Sequence, residues 1–193
     1  AGPTARLVES MPTGLEEELP RLEGVGDTSS AQIALLEDAR QTVDVTVMYW
    51  NLLATSSSFS PAKLREFGAD RGSKLYAAFE AAAERGVAIR ILQCRGASLC
   101  SDTEATQLQR KYPNQVSLRY WNATDWFDGG IMHQKLWIAD KSHVYRTCLY
   151  KNLQCRGVLN AVQCNIQTFL SCRVACTTLP YRYLAVRALY SGS

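Results

Sequence analysis

The stretch GSKLYAAFEAAAERGVAIRIL, residues 72–92, decides how this chain folds. Leu75, Ala78, Phe79 and Ala82 recur three and four residues apart. That spacing puts them on one face of a helix from Gly72 to Arg85. Gly86 ends it, because glycine takes the left-handed backbone of a helix stop without a Cβ penalty. Val87 to Leu92 follows as a short, apolar, β-branched run and reads as a strand. Upstream, Val43-Asp44-Val45-Thr46-Val47-Met48-Tyr49-Trp50 alternates and is also a strand. A strand, a helix and a strand in this order make a parallel crossover unit.

Working outward, Ser29 or Ser30 can cap a helix through about Arg40, with Ile33, Leu35, Leu36 and Ala39 near helical spacing. Residues 54–61 form a polar loop. A further helix is expected from Ser101 to Lys111 and a strand from Val116 to Trp121. Met132 to Ala139 and His143 to Tyr145 are expected as two strands joined by a turn at Asp140-Lys141-Ser142. The expected class is α/β, with a mostly parallel sheet flanked by helices. Residues 1–28, with Pro3, Pro12 and Pro20, read as an extended lead-in. Residues 29–146 make the domain, and 147–193 an irregular, cysteine-rich tail. No internal repeat is visible.

At 193 residues a single domain with a substantial core is the default, and 47% hydrophobic with 20% charged residues is a globular composition. No run of 18 apolar residues occurs, so no membrane-spanning helix is expected. The chain begins at Ala1 without a basic start and an apolar stretch. Any anchor is expected outside these residues.

Charge and cysteine are unevenly spread. None of the 18 acidic residues lies beyond Asp140, whereas the remainder holds seven of the 21 lysines and arginines. Five of seven cysteines (Cys148, Cys155, Cys164, Cys172 and Cys176) fall there too. Two readings fit: a basic, disulfide-rich tail that binds polyanions, or a different kind of sequence from an alternative exon or a shifted frame. The abrupt change just after Asp140 favours the second. The tail has no Cys-x2-Cys pair, which argues against zinc.

The chemistry is concentrated in His133-Gln134-Lys135-Leu136-Trp137-Ile138-Ala139-Asp140. Residues two apart on a strand share a face about 6.6 Å apart. One phosphate could therefore touch both His133 and Lys135. The chain has two histidines, and His143, which has no motif around it, reads as a structural turn residue. Asp140 has the opposite parity and sits at the turn, where it would hold the hairpin and the local charge. Trp137 and Ile138 are ordinary strand residues, one per face.

This His-x-Lys-x4-Asp pattern resembles the signature of the phospholipase D superfamily. Leu7-Val8-Glu9-Ser10-Met11-Pro12, Val43-Asp44-Val45 leading into Tyr49-Trp50, and Arg85-Gly86-Val87-Ala88-Ile89-Arg90 look like the N-terminal half of its lumenal, type II membrane branch. The likeness covers about residues 6–146. It implies a phosphodiesterase in which one histidine attacks phosphorus, forming a phosphohistidine, while a second protonates the leaving oxygen. Lysines stabilise the equatorial oxygens, and no cofactor or metal is called for. By resemblance the catalytic set is His133, as nucleophile or acid, Lys135 as phosphate clamp, and Asp140. The expected substrates are single-stranded nucleic acid, cut from its 5′ end, or lysosomal phospholipid. The expected location is the lumen of the endoplasmic reticulum or lysosome.

Two departures stand out. Where the family has Gly-Ser-x-Asn six residues after the aspartate, this chain has Thr147, Cys148, Leu149 and Tyr150. The family carries two His-x-Lys motifs, and this chain carries one. The second histidine is expected from a twofold partner or from a C-terminal half absent here. The alternative is a truncated, non-catalytic product keeping a half-site, and a third class is a secreted, cysteine-linked binding module.

Other signals are weaker. Asn122-Ala123-Thr124 is a glycosylation sequon, fitting a lumenal protein. Cys94 and Cys100 flank a short loop and suit a disulfide in an oxidising compartment, although a reduced buried pair fits the spacing as well. Tyr120, Trp121, Trp126 and Phe127 could stack on bases, but such clusters are more often core or rim.

Overall fold

A computed structural model of the chain describes residues 4–11, 13–14, 22–55, 57–95, 103–126, 128, 132, 134–148 and 183–189. Eight strands form one sheet: β1 (Thr4–Ser10), β2 (Gly26–Asp27), β3 (Thr42–Val47), β4 (Ala88–Arg95), β5 (Val116–Asn122), β6 (Leu136–Ala139), β7 (His143–Cys148) and β8 (Tyr183–Leu189). Their spatial order is β2-β1-β8-β7-β6-β3-β4-β5. Four helices accompany them: α1 (Thr28–Asp38), α2 (Pro61–Glu66), α3 (Asp70–Glu84) and α4 (Thr103–Lys111).

The α/β class expected from the sequence is what the chain adopts. The sheet is mixed. β3, β4 and β5 are parallel to one another, as crossover helices α3 and α4 require. β1 and β2 are also parallel. β6, β7 and β8 join antiparallel, because a short turn connects β6 to β7 and leaves no room for a crossover.

Helix α3 shows why the opening stretch was decisive. Leu75, Ala78, Phe79 and Ala82 are all buried, with Phe79 and Ala82 fully enclosed. Its end is a Schellman motif. Gly86, at φ +86°, donates to the Ala83 carbonyl at 2.9 Å, and Val87 donates to Ala82 at 3.1 Å. The helix begins at Asp70, ahead of Gly72, and Gly72 is there for contact: a Cβ on it would lie 2.1 Å from the Leu52 carbonyl oxygen.

In α1 the cap is Asp27, two residues before Ser29. Its carboxylate accepts from the Ser30 amide at 2.8 Å and from the Ser29 and Ser30 hydroxyls. A carboxylate offers more lone pairs than a hydroxyl and takes all three donors.

One face of the sheet carries the core. Val43, Val45 and Val47 of β3, Ile89 and Ile91 of β4, Val116 and Leu118 of β5, and Trp137 and Ala139 of β6 pack with residues of α1, α3 and α4. Trp50, Phe79, Trp137 and Tyr145 follow one another as ring neighbours, at centroid separations of 4.8, 5.2 and 5.9 Å. On the opposite parity, Asp44 and Arg90 form an ion pair across β3 and β4. It is exposed and contributes little stability.

Four elements add to the sequence reading. The lead-in contributes β1 and β2. Ser60 caps the short helix α2 beyond the polar loop, with Pro61 at its first position. The tail contributes the end of β7 and all of β8, which pairs with β7 along Cys148–His143 and with β1 along Ser10–Thr4. The tail is therefore not wholly irregular: residues 183–189 complete the sheet between β1 and β7.

Candidate functional site

Parallel β3, β4 and β5 end together at Val47, Arg95 and Asn122, and such carboxyl edges are where open α/β sheets bind ligands. β6 runs the other way, pairing Thr46 with Leu136. Its first residue therefore enters at that same edge, with Lys135 immediately before it. β7 runs back beside β6 with Arg146 opposite Leu136. Thr147, the next residue of β7, thus lies on the Lys135 side of that pair, where the resemblance calls for phosphate-binding positions.

Lys135 is half-buried, and burial holds its ammonium below the usual lysine range. A partly dehydrated cation gains more from an arriving phosphate than a surface lysine does, because less water must be stripped from it. His133 lies outside the described residues.

Asp140 sits at the other end of β6. Its carboxylate accepts three backbone N–H groups, from Arg40 at 2.8 Å, Gln41 at 2.8 Å and Thr42 at 2.9 Å. Its own amide donates to the Thr42 carbonyl at 2.9 Å. Desolvation opposes ionisation, but the Thr42, Arg40 and Gln41 amides and His143 outweigh it, and the carboxyl titrates below its ordinary range. Asp140 and Lys141 both have positive φ, at 49° and 57°, and Ser142 donates to Ala139 at 3.0 Å, closing a primed hairpin turn. The sheet separates Asp140 from Lys135 by the length of β6, about 17 Å for five residues.

The loop after β3 forms the near wall of the Lys135 edge, and a residue unremarked in the sequence holds it. Glu104, in the first turn of α4, is 2% exposed. Its carboxylate accepts the Leu52 amide at 2.6 Å and the Leu53 amide at 2.9 Å. Gly72 presses on the same loop at Leu52. Three residues before Leu52, Tyr49 stands 46% exposed. A glutamate in a first helical turn normally reads as solvated, so no local signal marks Glu104.

The remaining candidates are dispersed. Cys94 is buried in β4, and its suggested partner Cys100 lies outside the described residues. Asn122 ends β5 and caps a 3-10 turn over Ala123–Asp125, its amide donating to Asp125 at 3.0 Å. His143 opens β7, with Nδ1 3.0 Å from the Ser142 hydroxyl. Tyr120 lies under the Arg95 guanidinium, 5.5 Å from its ring centre, and its hydroxyl is 3.3 Å from Thr106 Oγ1. Trp121 is half-buried, Trp126 is 72% exposed, and Phe127 lies outside the described residues. A cavity of about 340 Å³ opens at the end of β1, between Ser10, Asp27, Gln32 and Arg71, and shares no residue with the Lys135 edge.

Residues 32–160 match the family described as cardiolipin synthase, PLD-like domain. The chain is 30% identical over 139 residues to a probable phospholipase D of Caenorhabditis elegans, covering 72% of this chain and 22% of that protein. It is 27% identical over 141 residues to the 5'-3' exonuclease PLD3 of Rattus norvegicus, covering 73% and 26%. It is 30% identical over 147 residues to phospholipase D Y of Dictyostelium discoideum, covering 75% and 30%. The chain spans about a quarter of the length of these relatives. With the family match reaching across the helices, the sheet and the His-x-Lys segment, the chain belongs to the phospholipase D-like family.

Proposed function

We propose that this chain provides one half of a phosphodiesterase centre. The observation that carries the reading is the delivery of Lys135 to the carboxyl edge of β3, β4 and β5, where it is half-buried. In this reading the His133 imidazole attacks phosphorus. A nitrogen–phosphorus bond forms as the bond to the leaving oxygen breaks, and a second histidine gives that oxygen its proton. Water then attacks the phosphohistidine, releasing the phosphate monoester and restoring the imidazole. Lys135 holds the equatorial oxygens as charge builds.

The second histidine comes from a twofold copy or from a further half of the protein. The substrate is single-stranded nucleic acid or phospholipid. The relative named as a 5'-3' exonuclease supports the first, and those named as phospholipases D support the second. The exposed Trp126 and Tyr49 at the same edge suit stacking on unpaired bases. The lumen of the endoplasmic reticulum or lysosome remains our proposed location, with Asn122 as glycan acceptor and Cys94–Cys100 as a disulfide. No helix among the described residues is long and apolar enough to cross a membrane.

A second reading is a non-catalytic half-site. It is favoured by the single His-x-Lys and by Thr147, Cys148, Leu149 and Tyr150 standing in place of Gly-Ser-x-Asn. The purified chain, incubated with single-stranded DNA and with bis(p-nitrophenyl) phosphate beside His133→Ala, separates the two. Turnover abolished by the substitution supports the enzyme, and equal turnover by both proteins removes His133 from the mechanism.

A further inference from the structure

The ladder between β3 and β6 ends in an unusual way. Elsewhere along antiparallel strands a main-chain carbonyl receives each main-chain amide. At the pair closest to the site, Thr46 opposite Leu136, a side chain takes part as well. The Leu136 amide donates to Thr46 Oγ1 at 3.0 Å, and the same hydroxyl lies 3.2 Å from the Leu136 carbonyl and donates to it. One hydroxyl thereby satisfies both backbone groups of the residue that follows Lys135. It uses one donor and one acceptor, which a hydroxyl can supply together. Leu136 and Thr46 are both half-buried, so water is a poor substitute.

We infer that Thr46 is a positioning residue for the phosphate clamp: its hydroxyl fixes the backbone into which Lys135 leads, and so fixes where the ammonium stands. This rests on the reading of Lys135 as a phosphate ligand. Threonine suits the task. Its β-branch belongs in a strand, and its second branch carries the oxygen. Valine has the same shape and strand preference without either hydrogen bond, and serine keeps the oxygen. Leu136 is the first residue of β6, paired with Thr46 on one side and with Arg146 of β7 on the other. β6 is four residues long, and its far end is tied by Asp140. Slack at Leu136 would therefore collect at the Lys135 end. Displacement of a charged clamp by about 1 Å costs on the order of a hundredfold in rate.

The test follows inorganic phosphate binding at the Lys135 side chain by NMR, with lysines labelled by reductive methylation. Thr46→Val, Thr46→Ala and Thr46→Ser are compared with the parent chain. Two hydroxyl-free variants are included because either one, if folded, suffices. Lys135 in the parent is expected to shift saturably with phosphate. Thr46→Val or Thr46→Ala should weaken that binding about tenfold or more, and Thr46→Ser should recover most of it. The Leu136 amide should exchange faster in the variants lacking the hydroxyl. Where bis(p-nitrophenyl) phosphate is turned over, the loss should fall on kcat more than on KM. Phosphate binding at Lys135 that is equal in parent and Thr46→Val overturns the role of Thr46 while leaving the clamp intact. A Lys135 resonance that ignores phosphate in the parent overturns the clamp itself and this inference with it. Failure of Thr46→Ser to recover binding assigns the effect to the methyl group and overturns the role of the hydroxyl.

Discussion

The two ends of β6 are built on opposite terms. At one end Asp140 is saturated: three backbone amides converge on its carboxylate, its own amide is bonded, and the turn beyond it is closed. At the other end Lys135 is half-buried, and the Thr46 hydroxyl bonds to both backbone groups of the residue after it. Four residues separate an anchor from a reactive edge. A charge meant to stabilise a fold is surrounded by partners in the folded state, whereas a charge meant for a ligand is left incompletely solvated until the ligand arrives. The His-x-Lys-x4-Asp spacing places the two on opposite sides of that division.

The largest expected effect comes from the reactive end. Lys135→Ala should lower phosphodiester turnover by about 10²–10³, as loss of a charge-stabilising donor does. Thermal stability should stay equal or rise, because a dehydrated cation is removed. Steady-state kinetics and a melting curve on the same preparation check this, and a large loss of stability would break the contrast. Asp140→Ala should behave in the opposite sense, lowering unfolding free energy by about 1–3 kcal/mol through three orphaned amides and a positive-φ turn. Denaturant titration measures it, and turnover per folded molecule should fall far less than for Lys135→Ala.

The pH dependence sharpens the same division. The folded state lowers the Asp140 carboxyl, so its contribution is present above the unfolded pKa, about 3.9, and is lost as pH falls through the folded value. The stability gap between the parent and Asp140→Asn should be constant near neutrality and close below about pH 4. A gap that persists at pH 2 would show the carboxylate is not its source. The smallest effect concerns Lys135. Its ammonium, lowered by burial, should lose its proton earlier in alkali than an ordinary lysine. Phosphate affinity should weaken on raising pH toward 10, and Lys135→Arg, charged throughout, should show no such decline. Parallel declines in both proteins would place the titrating group elsewhere.

Much of this was legible in one dimension. The α3 face, the Gly86 stop, the alternation of β3 and the period of β4 are local patterns, and each became the element expected. Boundaries slipped where a partner decides them. β3 ends at Val47, where its pairing with β4 ends and one residue past its pairing with β6, although Met48 to Trp50 remain strand-like by composition. Trp50 turns inward onto Phe79. Glu104 was invisible because its value lies in two amides about fifty residues away. β8 was invisible because its pairing partners are β1, from the other end of the chain, and β7.

By itself, the sequence determined the α/β class, the family and the residues we propose to meet a phosphate, since periodicity and a short motif are carried by neighbours along the chain. Only the tertiary structure decided which carboxylates are anchors, that Thr46 holds the strand after Lys135, and that the tail's residues 183–189 complete the sheet. Those outcomes rest on hydrogen bonds between segments distant in sequence, and such bonds exist only once packing has brought their two ends together.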